Sequence, residues 1–293
     1  SFNTEVVMAF NAPAKIAENF IGGGKAKGSL TILKMLILGI LAGAYIGFGA
    51  ELSTMVLTGT QNTMGLGMSK LFAGAVFSVG LMLVVIGGAE LFTGNNLMTI
   101  GLAAGEVKWT GLVKNWVVVY IANFIGSLIL VYIMYKSNLW KTGFVAGQCP
   151  LEGGACANTA LAIAIGKVNL GWGEAFYRGI GCNWLVCLAV WLAAAADDIS
   201  GKVWAIFFPI MAFVASGFEH CVANMYFVPM GIALKADPAL AEYVGTLGAK
   251  TDALTWAGFL NNNLVPVTIG NIVGGAIFVG IVYFLAYVKK SEK

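Results

Sequence analysis

"GGAELFTGNN", residues 87–96, lies inside a run of apolar chain, "FAGAVFSVGLMLVVI" before it and "LMTIGLAAG" after it. It puts a carboxylate (Glu90), a hydroxyl (Thr93), a glycine and two asparagines (Asn95, Asn96) where a membrane-spanning helix should be uniformly greasy. In hydrocarbon, backbone groups freed by a helix break survive only where protein or a water-lined path satisfies them. The stretch therefore predicts a helix broken inside the membrane, with the break around Gly94–Asn96.

The setting supports that reading. Of 293 residues, 59% are hydrophobic and only 11% are charged, less than half the roughly 25% of a soluble domain, and mean hydropathy is +0.84. So little charge cannot coat a water-facing surface, and 39 glycines favour helices packed through small residues over a barrel. A net charge of +3 with no basic run excludes a nucleic-acid arm. No cleavable leader is expected from the N-terminal residues.

Six apolar segments reach the roughly 20 residues a bilayer requires: about 33–57, 71–104, 113–135, 175–196, 203–234 and 264–288. The second and fifth are too long and carry polar interruptions. Ahead of them, "NAPAKIAENFI" reads as an amphipathic surface helix, about 10–22, started near Pro13 and ended by Gly22–Gly24. The whole of 1–293 reads as one membrane domain. With the N-terminus inside, ten of the 17 basic residues fall inside and seven outside, which places both termini in the cytoplasm. "GILAGAYIG" spaces Gly39, Gly43 and Gly47 four apart, either a smooth helix-contact stripe or scattered glycine in a glycine-rich chain.

The stretch has a partner. Gly88-x-Glu90-x4-Asn95 recurs as Gly217-x-Glu219-x4-Asn224, offset by 129 residues (219 − 90). Asn115-x7-Asn123-x2-Gly126 recurs as Asn263-x7-Asn271-x2-Gly274, offset by 148 (263 − 115). Two signatures in the same order predict a duplicated three-helix unit, 33–135 and 175–288. An odd number of spans per copy forces opposite orientations, the inverted-repeat architecture in which broken helices frame a midplane site. The predicted fold is all-α, six transmembrane helices in two inverted repeats, with helices 2 and 5 broken.

His220, the single histidine, falls in the second break. An ionisable group at a duplicated membrane break points to function, against the plainer reading of a hydrogen-bonded core histidine. Glu90 and Glu219 read as supports that cap freed amides rather than as a proton relay, since both copies keep the carboxylate and only one has histidine. Asn95 belongs to the same support. Asn183 lies on a span and reads as a polar contact to the path, and Lys167 as a mouth residue that gathers anions or a merely solvated lysine. Phe77, Phe213, Leu91 and Phe92 are candidates for dry constrictions. Glu51 suggests no role. Cys182, Cys187 and Cys221 read as core, whereas Cys149 and Cys156 share a polar loop and could bridge. No metal set or nucleophile motif is present, so neither cofactor nor enzyme chemistry is expected.

"GAELFTGNN", "CNWLVCLAVW", "FVASGFEHCVANM" and "NNLVPVTIGNIVGG" together resemble the formate/nitrite transporter family, from about residue 10 to 288. The resemblance implies six membrane helices per protomer in an aquaporin-like fold, and a homopentamer in membrane lipid with an anion path through each protomer. It implies constrictions at Leu91, Phe92, Phe77 and Phe213, and polar contacts from His220, Thr93, Asn183, Asn224 and Asn271. It makes Lys167 the vestibule lysine and lets the N-terminal helix gate the cytoplasmic mouth. Cys221 departs from the serine of many members. "NNLVPVTIGNIVGG" and "VPMGIALKADP" look most like formate members and "CNWLVCLAVW" nearer nitrite members. The expected function is pH-dependent passage of a small monovalent anion, formate first, either passive or proton-coupled. Nitrite or hydrosulfide is the alternative within the family and a neutral-solute or water channel the alternative outside it.

Overall fold

The computed structural model describes residues 10–142 and 156–289. Cys149 lies outside these, and with it the Cys149–Cys156 pairing. Among the described residues the regular structure is helical, and six helices are long and apolar enough to cross a membrane.

Helix α1 (Pro13–Ser29) precedes the spans. It does not stop at Gly22–Gly24 as the sequence predicts. A Cβ at Gly24 would come within 3.3 Å of Val107 Cγ2, so a glycine there seats the helix against its neighbours. Tertiary packing overrides a weak helix propensity. The first span is α2 (Ile32–Leu57), capped by Thr31, whose hydroxyl accepts from Lys34 N–H. The second is α3 (Thr60–Gly87), followed by an irregular stretch and the short α4 (Met98–Ala103). The third is α5 (Trp109–Ser137).

The second half runs in the same order. Helix α6 (Cys156–Val168) stands where α1 stands in the first half. It is followed by α7 (Trp172–Ala195) and α8 (Ile199–Ser216), a break, and α9 (Cys221–Lys235). The short α10 (Ala241–Leu247) leads to α11 (Trp256–Tyr287), the last span, which widens into π-helical turns at Phe259–Leu264 and Val273–Ile281. Within the second of these, a Cβ on Gly275 would sit 2.3 Å from Asn183 Nδ2, so glycine lets α7 approach there.

The glycine stripe resolves to close approach. A Cβ on Gly43 would fall 2.0 Å from the Asn123 carbonyl, and one on Gly126 1.9 Å from the Ile40 carbonyl, so α2 and α5 touch backbone to backbone. In the second half Gly270 and Gly274 do the same against Phe176 and Ile180, joining α11 to α7.

Both breaks begin with the same device. Gly88 (φ 82°) ends α3 and Gly217 (φ 81°) ends α8, each in the left-handed region that costs a side chain energy. The first break thus opens at Gly88, six residues before the Gly94–Asn96 read from the sequence. Residues Gly94–Leu97 instead form a tight 3₁₀ turn leading into α4.

Candidate functional site

Each break is held by one asparagine on the following span. Asn123 accepts from Phe92 N–H through Oδ1 (2.9 Å) and donates through Nδ2 to the carbonyls of Gly39 (2.8 Å) and Glu90 (2.9 Å). Asn271 accepts from Cys221 N–H (2.9 Å) and donates to the carbonyls of Gly179 (2.8 Å) and Glu219 (2.9 Å). Phe92 and Cys221 are again 129 apart (221 − 92). One amide thus satisfies two of the backbone groups a break frees and ties them to a carbonyl of the facing span, which answers how apolar chain tolerates it.

A carboxylate cluster completes each break. Asn95 Nδ2 donates to Glu90 (2.7 Å) and Asn115 (2.8 Å), while Asn224 Nδ2 donates to Glu219 (2.7 Å) and Asn263 (2.7 Å). A lysine from the preceding short helix pairs with each carboxylate, Lys27 with Glu90 and Lys167 with Glu219 (2.9 Å). Lys27 and Lys167 are 140 apart (167 − 27), as are Gly39 and Gly179. That repeat of lysine and glycine was the signal in the sequence that extends the duplication back to α1 and α6. Lys167 is therefore an ion-paired residue of α6, its side chain 14% exposed, and not a merely solvated lysine.

The halves meet on equivalent residues. Ser78 Oγ donates to the Phe207 carbonyl (3.1 Å), and Tyr120 OH lies 2.8 Å from Thr268 Oγ1. Each pair is one position and its own counterpart.

Against this symmetry the centre is asymmetric. His220 occupies the place of Leu91, and Thr93 the place of Val222. Thr93 Oγ1 and His220 Nε2 are 2.9 Å apart, both residues buried. His220 also caps α9: its Nδ1 accepts from Ala223 N–H at 3.0 Å. An amide can only donate, so Nδ1 carries no proton here and the neutral ring bears its single proton on Nε2, toward Thr93.

Two cavities flank this pair and share no lining residue. One, about 580 Å³, is lined by Lys167, Glu219, Asn224, His220, Phe77 and Phe213, among others. The other, about 360 Å³, is lined by Lys27, Glu90, Leu91, Asn95 and residues of α1. The Phe77 and Phe213 rings meet edge-on at 5.6 Å, and Phe213 lies 6.0 Å from the His220 ring.

The remaining predicted residues divide. Asn224 lines the larger cavity and its buried Oδ1 has no hydrogen-bond partner. Asn183 and Asn271 are fully buried and line neither cavity. Asn183 Nδ2 donates to Asn96 Oδ1 (2.8 Å) and the Asn271 carbonyl (2.7 Å), tying the two breaks together. Phe92 lines neither cavity and packs edge-on against Tyr120 (4.9 Å) and Trp116 (5.9 Å). Glu51, for which the sequence suggests no role, accepts from Tyr226 OH.

The family described as formate/nitrite transporter matches residues 14–285. The chain belongs to the formate/nitrite transporter family. It is 44% identical over 289 residues to a probable formate transporter of Methanothermobacter thermautotrophicus, covering 96% of this chain and 99% of the relative. It is 38% identical over 283 residues to the formate channel FocA of Escherichia coli strain K12, covering 96% and 95%. Among solved structures it is similar to a pentameric formate channel with formate bound, at a TM-score of 0.76 and 41% identity, covering 88% of this chain and 98% of that one. A second similar structure, an FNT family ion channel, has a TM-score of 0.76 and 28% identity, covering 92% and 98%. A transporter family and six spans make this a multi-pass membrane protein.

Proposed function

We propose that the chain passes a small monovalent anion, formate by preference, between its two cavities through the Thr93–His220 contact. The observation that carries this is that contact, set between the Phe77–Phe213 ring pair on one side and Leu91 on the other. An ion stripped of water between apolar rings is costly. Donors at the narrowest point offset that cost, and His220 Nε2–H and the Thr93 hydroxyl are the donors available there.

The Ala223 bond divides the two mechanisms. As a neutral donor, His220 hydrogen-bonds the anion and its ring keeps its one proton. To hand over a proton and stay neutral it must first gain a second at Nδ1, which displaces Ala223 N–H and uncaps α9. Proton-coupled passage therefore moves the head of α9, and passive passage does not. Phe77, Phe213 and Leu91 are the constrictions, Asn224 a polar contact in the larger cavity, and Asn183, Asn271 and Phe92 fix the breaks. The role is transport with no catalysis. The relatives named for formate favour that anion, the solved pentamer favours a homopentamer, and the bias of basic residues favours both termini in the cytoplasm.

Stopped-flow uptake of formate, nitrite and hydrosulfide into proteoliposomes at two pH values tests this. Formate should pass fastest, and His220→Phe should lower its rate and flatten its pH response. Wild-type rate and pH response in His220→Phe would overturn the role of the histidine. Rapid pH-independent passage of a neutral solute, with no anion passage, would favour the neutral-solute channel.

A further inference from the structure

The two cavities are built from equivalent halves but differ in charge. The charged residues lining the smaller one are Lys27 and Glu90, paired with each other. The larger one holds the equivalent Lys167–Glu219 pair and, in addition, Lys70 and Arg178. Neither of these two makes an ion pair among the described residues. A Cβ built on Gly217 would lie 3.8 Å from Lys70 Nζ, which sets that ammonium beside the second break.

The scaffold does not need these cations. The Arg178 carbonyl accepts from Glu219 N–H at 3.2 Å, and the equivalent carbonyl, that of Leu38, accepts from Glu90 N–H at 3.2 Å. Leucine does the same backbone work in the other half. The position equivalent to Lys70 is Ile199, in the first turn of α8. Both charges are additions to one half only.

We propose that Lys70 and Arg178 make the Lys167 cavity an anion-collecting mouth, with a lower half-saturation concentration and a stronger salt response than the Lys27 mouth. This rests on the anion-transport reading. Like-signed charge in a cleft with low-dielectric walls raises the local concentration of the opposite ion by tenfold or more, and salt screens the effect. A passive path has the same permeability both ways in dilute substrate, so the asymmetry is read in saturation and in which side's salt matters.

The experiment uses radiolabelled formate with right-side-out and inverted membrane vesicles holding the full chain, and an impermeant salt varied on one face at a time. Uptake should half-saturate at about tenfold lower formate when the Lys167 face is presented. Salt on that face alone should raise the half-saturation concentration. Lys70→Gln with Arg178→Leu should remove both effects, and Lys70→Arg with Arg178→Lys should restore them. The inference is overturned if the neutral double variant keeps the salt response, or if wild type responds alike from both faces. A wild-type chain that passes no formate from either face overturns the transport reading, and this one with it.

Discussion

Thr93 and His220 come from opposite halves of an inverted repeat, yet meet at 2.9 Å where no symmetry requires it. Their counterparts, Val222 and Leu91, are apolar. The clamps and carboxylate clusters that hold the breaks are duplicated, so the pair is one place where one half was made to differ from the other. Its hydroxyl matters more than its methyl. Thr93→Val leaves buried Nε2–H without a partner, at a cost of roughly 1–3 kcal/mol, and removes one donor from the path. Formate uptake in proteoliposomes should fall about tenfold or more in Thr93→Val and stay near wild type in Thr93→Ser. Equal rates in the two variants would remove the hydroxyl from the mechanism.

Asn123 and Asn271 should behave as twins. Each satisfies one amide and two carbonyls in a buried setting. Replacement by alanine orphans the break's amide and its carbonyl (Phe92 and Glu90, or Cys221 and Glu219), each costing about 1–3 kcal/mol. Either substitution should therefore lower the melting temperature in detergent by a similar, large amount, or prevent folding. Asn→Asp keeps the acceptor and loses both donations, so it should be nearly as damaging. A variant at one site that melts like wild type would mean the break does not depend on that clamp.

Gly43 and Gly22 make a controlled contrast. Each sits inside a helix, but a Cβ on Gly43 would lie 2.0 Å from the Asn123 carbonyl, while one on Gly22 meets nothing within 4 Å. Gly43→Ala must push α2 away from α5 and with it the Asn123 clamp. Gly22→Ala should stabilise α1 by about 0.8–1 kcal/mol through helix propensity alone. Thermal melts of the two single variants should shift in opposite directions.

The duplication was legible because Glu90/Glu219, Asn95/Asn224 and Asn123/Asn271 keep their types at fixed offsets, and a hydrogen-bonding clamp tolerates little change of type. The start of the first break was misplaced because the asparagines at 95 and 96 are conspicuous. The device that ends the helix is a single left-handed glycine among many glycines. The continuation of α1 through Gly22–Gly24 was hidden because propensity is local, whereas Gly24 is held by residues some 80 positions away (107 − 24). Phe92 gave no sign of its direction: an aromatic beside a path and one turned toward Tyr120 read the same. Lys167 could pass for a merely solvated lysine because α6 has only 13 residues, too few to register as a span.

The two lysine–glutamate pairs should differ in strength despite their symmetry. The Lys167 side chain is 14% exposed and that of Glu219 6%, whereas Lys27 is 35% exposed opposite Glu90 at 9%. Burial makes each pair costly to form and costlier to leave half-made. Glu219→Gln strands the largely buried Lys167 ammonium without its partner, with an expected loss of about 3–5 kcal/mol. Glu90→Gln leaves Lys27 free to turn into water, so the loss should be smaller, toward the ~1 kcal/mol of an exposed pair. A Lys167→Met partner change should recover part of the Glu219→Gln loss, since no unpaired charge then remains. The measurement is a double-mutant cycle on thermal stability for each pair. A larger coupling energy for Lys27–Glu90 than for Lys167–Glu219 would contradict the burial argument and point instead to a strong clamp where α1 meets the first break.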